Sequence, residues 1–218
     1  MTVRPAVIRI MCGVRLPNEL GAEQIMGMPA ERVRRWTARE VRMLIADAPL
    51  VTPRYELVDG ELLVTPSPGP RHQEVLRVLL IALSAYLERE PVGHVLHSPA
   101  DIELEPEDVR QPDMFVLPMA EWRRILRDGF PARELLVAVE VLSPSSGRYD
   151  RVTKRPGYQR HVSEYWIVDL EARLIERWHP SDERPEVLTE RLTWKPDGAA
   201  LPFSLDLADY FGRVWTAG

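Results

Sequence analysis

Apolar positions recur at two spacings along this chain, and the switches between them outline its elements. After Thr37, apolar Val41, Leu44 and Ile45 recur at helical spacing. Thr37 and Glu40 have the spacing of a capping box, and Pro49 closes the short amphipathic helix they predict. Tyr55–Val58 and Glu61–Val64 flank Asp59-Gly60, which predicts a β-hairpin because that dipeptide accepts the positive φ angles of a tight turn. Residues 71–88 are rich in Leu and Ala, free of glycine and proline, and read as a long, largely buried helix. Strands are expected at 94–97, 101–105 and 113–117, with a small helix over 119–126. Leu135–Leu142 is a nearly continuous apolar run, the pattern of a central strand buried on both faces. A turn at 143–147 leads to a helix carrying Asp150, Lys154 and Tyr158 on one face, which Pro156 and Gly157 should kink or shorten. Residues 164–170 and 174–179 suggest a hairpin-like pair, 187–194 another strand, and 205–211 a terminal helix.

Mixed strands and helices over most of 218 residues predict an α/β fold. Residues 1–30 carry scattered Pro and Gly without periodicity and are expected to form an extension outside the core, leaving 31–218 as a single domain. No apolar run is long enough to span a bilayer as a helix, and Arg4 and Arg9 break the N-terminal stretch that a secretory signal would need. Cytoplasmic residence is the expectation. The lone Cys12 supports neither an internal disulfide nor a cysteine zinc site. With a formal charge of −5, nothing draws the whole chain toward nucleic acid, so a DNA partner would need local basic patches. Two runs qualify: Arg32, Arg34, Arg35, Arg39 and Arg42, which reads better as a solvated helix face, and Arg148, Arg151, Lys154 and Arg155.

Glu140 interrupts the most apolar strand of the chain. A carboxylate placed there costs several kcal/mol unless it is paired, hydrogen-bonded or bound to metal. Asp113 opens another expected strand, and if the two strands are neighbours their carboxylates converge on a point suited to a hard cation such as Mg²⁺ or Mn²⁺. Lys154 could add the positive charge that phosphodiester hydrolysis requires. The structural alternative makes Asp113 a turn cap, pairs Glu140 with a core arginine and leaves Lys154 on the surface. Glu56 either completes a metal shell or faces outward from its hairpin. His72 either meets phosphate or caps a helix; Asp150 is spaced to orient Lys154, and Tyr158 reads as packing. Trp166, Trp178 and Trp194 read as core aromatics. Metalloprotease, P-loop, dinucleotide and nucleophile-elbow motifs are all missing.

The run Tyr55-Glu56-Leu57-Val58-Asp59-Gly60-Glu61-Leu62, His72-Gln73, Pro112-Asp113, Glu140 to Ser146, Asp150, Lys154, Tyr158 and Glu164 to Asp169 resembles, in order, the Uma-type (Uma-two) endonuclease family. That family is a widespread bacterial group of the PD-(D/E)XK superfamily, and the resemblance runs from about Thr37 to the C-terminus. It implies a restriction-endonuclease-like fold, a mixed central β-sheet flanked by helices, and a metal-dependent endonuclease acting on nucleic acid, most naturally DNA. Asp113 and Glu140 would be metal ligands, joined by Glu56, with Mg²⁺ or Mn²⁺ as cofactor; His72, Asp150 and Tyr158 would be accessory. Many nucleases cut as symmetric pairs, so the resemblance also brings a homodimer into view. One position departs from the pattern. The lysine expected two residues after the acid is Leu142 here, and Lys154 is its expected replacement. The competing reading is a catalytically inactive nuclease-fold module that binds nucleic acid or a protein partner. Cleavage requires Asp113, Glu140 and Lys154 close together at an open cleft; a closed or scattered trio counts against it.

Overall fold

The computed structural model describes residues 35–47, 54–58, 60–65, 68–105, 108–143 and 147–216, together with the backbone of 8–10. In chain order the elements begin with β1 (Ile8–Ile10), α1 (Ala38–Asp47), β2 (Arg54–Val58), β3 (Glu61–Thr65) and α2 (Pro70–Arg89). Next come β4 (Gly93–His97), β5 (Ile102–Glu105), β6 (Asp108–Arg110), β7 (Met114–Pro118), α3 (Met119–Asp128) and β8 (Leu135–Val141). A short helix α4 (Gly147–Tyr149), a π turn (Asp150–Lys154) and α5 (Arg155–His161) lead to β9 (Val162–Asp169). The chain ends through β10 (Leu174–Trp178), β11 (Glu186–Leu188), β12 (Arg191–Trp194), β13 (Phe203–Asp206) and α6 (Leu207–Thr216). The backbone groups into two compact units, Met1–Ser67 with Glu105–Val109 and Pro68–Leu104 with Arg110–Gly218.

In the first unit β2 and β3 form the expected hairpin, with Val58 opposite Glu61 and Gly60 at φ 79°. Asp59 and Pro49 lie outside the described residues. The capping box forms: the Thr37 N–H donates to Glu40 Oε2 at 2.9 Å and the Glu40 N–H to Thr37 Oγ1 at 3.3 Å. Ala38 and Val41 of α1 then bury against Leu57, Leu62 and Val64. Ile8–Ile10, within the stretch expected to stay outside the core, pairs in parallel with β3.

The second unit is built on a mixed sheet in the order β11-β10-β9-β8-β7-β4. Its neighbours are antiparallel except β8 and β9, which the α4–α5 segment joins as a parallel crossover. Both faces of the sheet are covered. Val137, Val139 and Val141 of β8 point to the face packed by α2 and α6, while Ala138 points to the opposite face, against Tyr158 of α5 and Ile125 of α3. By that alternation Glu140 belongs to the α5 face. Trp166, Trp178 and Trp194 are buried, as expected. Two C-terminal expectations need correction. Residues 187–194 are not one strand, because β11 pairs with β10 whereas β12 pairs with β13. The last helix begins at Leu207 rather than Leu205, since Asp206 ends β13 and its Oδ1 accepts the Asp209 N–H at 3.0 Å, an N-cap contact. Among the described residues, no helix is long and apolar enough to cross a membrane.

Candidate active site

Asp113 stands one residue before β7, where Met114 pairs with Val139 of β8. Carried one step further, that register sets Asp113 opposite Glu140. The Val141 N–H donates to Asp113 Oδ2 at 2.8 Å, which pins this carboxylate to the end of β8. From the first turn of α2, His72 Nε2 approaches the same oxygen to 3.2 Å, off the line of a hydrogen bond. The α2 N-cap is Gly69, so His72 does not cap the helix; it faces Asp113.

Glu140 is 2% exposed. Its Oε1 accepts from Lys154 Nζ at 2.9 Å and from the Tyr158 hydroxyl at 3.1 Å. Lys154 Nζ also lies 3.6 Å from Asp150 Oδ1. The buried glutamate is therefore paired with a lysine reached across the crossover, and Lys154 is not a surface group. Tyr158 does more than pack: it holds Glu140 while its ring stacks on Tyr165 at 4.6 Å between centroids.

Local backbone explains how three residues spaced by four converge. Pro156 has no N–H to give an α-helical bond to Val152, and the stretch before it widens into a π turn closed by the Arg155 N–H on the Asp150 carbonyl. Instead of shortening the helix, Pro156 sits in the first turn of α5. Arg110, fully buried, was not expected to take part. Its Nη1 donates to the Lys154 carbonyl at 2.5 Å and its guanidinium lies 4.8 Å over the Tyr158 ring. A Cβ at Gly157 would collide with that guanidinium, so the close approach needs glycine. A strand-like Asp-Val-Arg gives no sequence sign of this contact.

Other expected residues divide. Glu56 is buried in the first unit at 0% exposure, which overturns the outward-facing alternative. In the second basic run the Arg148 side chain lies outside what the structure describes, and the other three are engaged. Arg151 bonds Glu176 at 2.7 Å and Asp169 at 2.9 Å, Arg155 lies over Trp178, and Lys154 serves Glu140. In the first run, Arg32 and Arg34 fall outside the described residues, as do Cys12 and residues 144–146. The open cleft expected for cleavage is not seen: Asp113, Glu140 and Lys154 are together but only 3%, 2% and 4% exposed.

Buried on this side of the sheet are the carboxylates Asp113, Glu140 and Asp150 and the cations Lys154 and Arg110. Hard oxygen donors in excess over cations suit a divalent metal such as Mg²⁺, which commonly uses one or two protein carboxylates and completes its shell with water and phosphate. Among the described residues no group of three or more His, Cys, Asp or Glu side chains is placed to hold a metal.

A mixed central sheet covered by helices on both faces is a restriction-endonuclease-like fold. Residues 49–208 match the Uma2 family, whose description is "Putative restriction endonuclease", and the chain belongs to that family. Among solved structures it is similar to an Anabaena variabilis protein described as a "putative nuclease belonging to DUF820", with a TM-score of 0.65 and 18% identity over 78% of this chain and 96% of that one. No curated protein matches the chain. Family and fold together support a nuclease, and so a nucleic-acid substrate.

Proposed function

We propose that this protein is a metal-dependent endonuclease that hydrolyses phosphodiester bonds in DNA, with Asp113 and Glu140 holding Mg²⁺ or Mn²⁺ and Lys154 as the catalytic cation. The observation that carries the reading is the 2.9 Å contact from Lys154 to Glu140, one register step across from Asp113. It supplies the positive charge that Leu142 cannot. A bound divalent cation would polarise a phosphoryl oxygen and acidify a bound water. The protein's own groups prepare for this: Asp150 lies beside the Lys154 ammonium, the Tyr158 hydroxyl fixes the Glu140 carboxylate, and the Val141 N–H fixes Asp113 with His72 beside it. Once the trio is uncovered, Lys154 stands where it can offset charge developing on the phosphate.

Burial of the trio favours a second reading, the inactive module that keeps the fold for binding. Calorimetric titration of Mn²⁺ into the wild type and Glu140→Ala, with plasmid cleavage on the same samples, separates the two. Binding and cutting that both vanish in the variant support the nuclease. Binding without cutting of any nucleic acid moves the assignment to the module, and no binding returns Glu140 to an ordinary ion pair with Lys154. The nuclease reading includes action in the cytoplasm and cutting by a symmetric pair, which light scattering with and without DNA would test.

A further inference from the structure

Several described arginines of the second unit are paired with carboxylates: Arg77 with Glu74, Arg124 with Glu121, Arg151 with Asp169 and Glu176, Arg177 with Glu186. Arg71 and Arg173 differ. Both are exposed, and among the described residues neither makes a hydrogen bond or an ion pair. Both guanidiniums instead lie against the ring of Trp215, 3.9 Å and 5.2 Å from its centroid. Glu74 is already engaged by Arg77 at 2.6 Å and Asp169 by Arg151 at 2.9 Å, and Glu171, two residues before Arg173, makes no ion pair with it. Two like charges gathered on one indole repel each other, and an anion between them would relieve the repulsion.

The backbone adds an independent observation. Arg173 has φ 52°, the one positive φ at a non-glycine among the described residues. The turn that imposes it is held by Asp169 Oδ1, which accepts the Ala172 N–H at 3.0 Å. Glycine or asparagine would occupy that left-handed position with less strain, so an arginine there points to work done by its side chain. The location fits such work. The turn leaves the carboxyl end of β9, where Val168 pairs with Val141, whose N–H holds Asp113. Arg71 precedes His72, whose ring meets Asp113. Both arginines therefore lie at the sheet end that carries the candidate catalytic group, where open α/β sheets place their ligands.

We infer that Arg71, Arg173 and Trp215 form a clamp for a backbone phosphate of the nucleic-acid substrate, flanking the bond to be cut. Arginine forks match phosphate oxygens, and the indole keeps both in place before substrate arrives. The nature of the anion rests on the nuclease reading; the clamp itself rests on the geometry.

The test is fluorescence anisotropy of a short labelled DNA duplex, and of its single strand, in EDTA across a range of NaCl concentrations. Arg173→Gly is the sharpest variant, because glycine suits the turn. Its melting temperature should equal or exceed that of the wild type, while DNA affinity falls roughly five- to tenfold and the log–log salt slope on duplex drops by about 0.9 for each phosphate that is no longer neutralised. Arg71→Ala should weaken binding similarly, and the double change to lysine should restore the slope. Wild-type affinity and slope in both Arg173→Gly and Arg71→Ala overturn the clamp, as does a wild type that binds neither DNA form. If the variants weaken binding but the wild type cuts nothing with Mn²⁺ present, the clamp stands and the nuclease reading falls.

Discussion

Lys154 and Glu140 are so deeply buried that the cost of separating them falls on whichever is left behind. Removing the ammonium alone strands a buried carboxylate beside the Tyr158 hydroxyl, and such losses run to about 3–5 kcal/mol. Lys154→Met should therefore lower unfolding free energy by roughly that amount in urea melts. The double variant Lys154→Met/Glu140→Gln should recover much of it, because a neutral amide needs only hydrogen bonds, one of which Tyr158 still gives. Equal destabilisation by the single and double changes would mean that the pair is not the energetic unit the geometry describes. Tyr158→Phe is a milder probe of the same site. It removes one hydrogen bond to a charged acceptor and should cost about 1.5–3 kcal/mol while leaving the ring stack in place.

The crossover segment turns these contacts into one structure. Its π turn and the start of α5 present Lys154 and Tyr158 to Glu140, and Arg110 braces the turn through the space that Gly157 leaves open. Gly157→Ala would drive a methyl group into the Arg110 guanidinium and should cost about 1–3 kcal/mol in thermal or urea unfolding, as overpacking does. On the same side of the sheet, α3 is tied down by Glu121, which receives Arg124 at 2.7 Å and the Arg133 N–H at 2.7 Å. The Arg124 hydrogen bond leads in holding the Glu121 carboxyl below its ordinary value of 4.5, against the upward pull of burial. Its contribution is thus complete above that value and lost as pH falls through the lower folded one. Acid unfolding of Glu121→Gln should accordingly show a shallower loss of stability below about pH 4.5 than the wild type. The elements themselves were largely legible, because caps, Asp-Gly and apolar period act within a few residues: Thr37–Glu40 started α1, and the Leu-Ala run gave α2. Lys154 was legible because spacing by four survives a π turn. Arg110 was not, since its role depends on contacts more than forty positions along the chain. The β11–β12 break was missed because no glycine or proline marks it, and Asp206 was read as helix although its side chain caps the helix that follows.

For the molecule as a whole, an acidic chain of net charge −5 has to meet a polyanion, and several of its described arginines are engaged with its own carboxylates. A divalent cation at Asp113 and Glu140 would change that balance where it matters, offsetting buried negative charge on the sheet end that phosphate must approach. Because such a cation binds the folded chain and not the dispersed carboxylates of the unfolded one, it should also stabilise the fold, by about 2.7 kcal/mol at a hundredfold excess over its dissociation constant. Thermal melts with increasing Mn²⁺ should therefore climb in the wild type and stay flat in Glu140→Gln and Asp113→Asn. The burial of the trio sharpens this prediction. If metal and substrate enter only when the groups covering Glu140 move aside, amide exchange around β8 and the π turn should slow on Mn²⁺ binding in the wild type alone. A wild type whose melting temperature ignores Mn²⁺ would leave Glu140 paired with Lys154 and not with a metal, and the fold would then serve binding without hydrolysis.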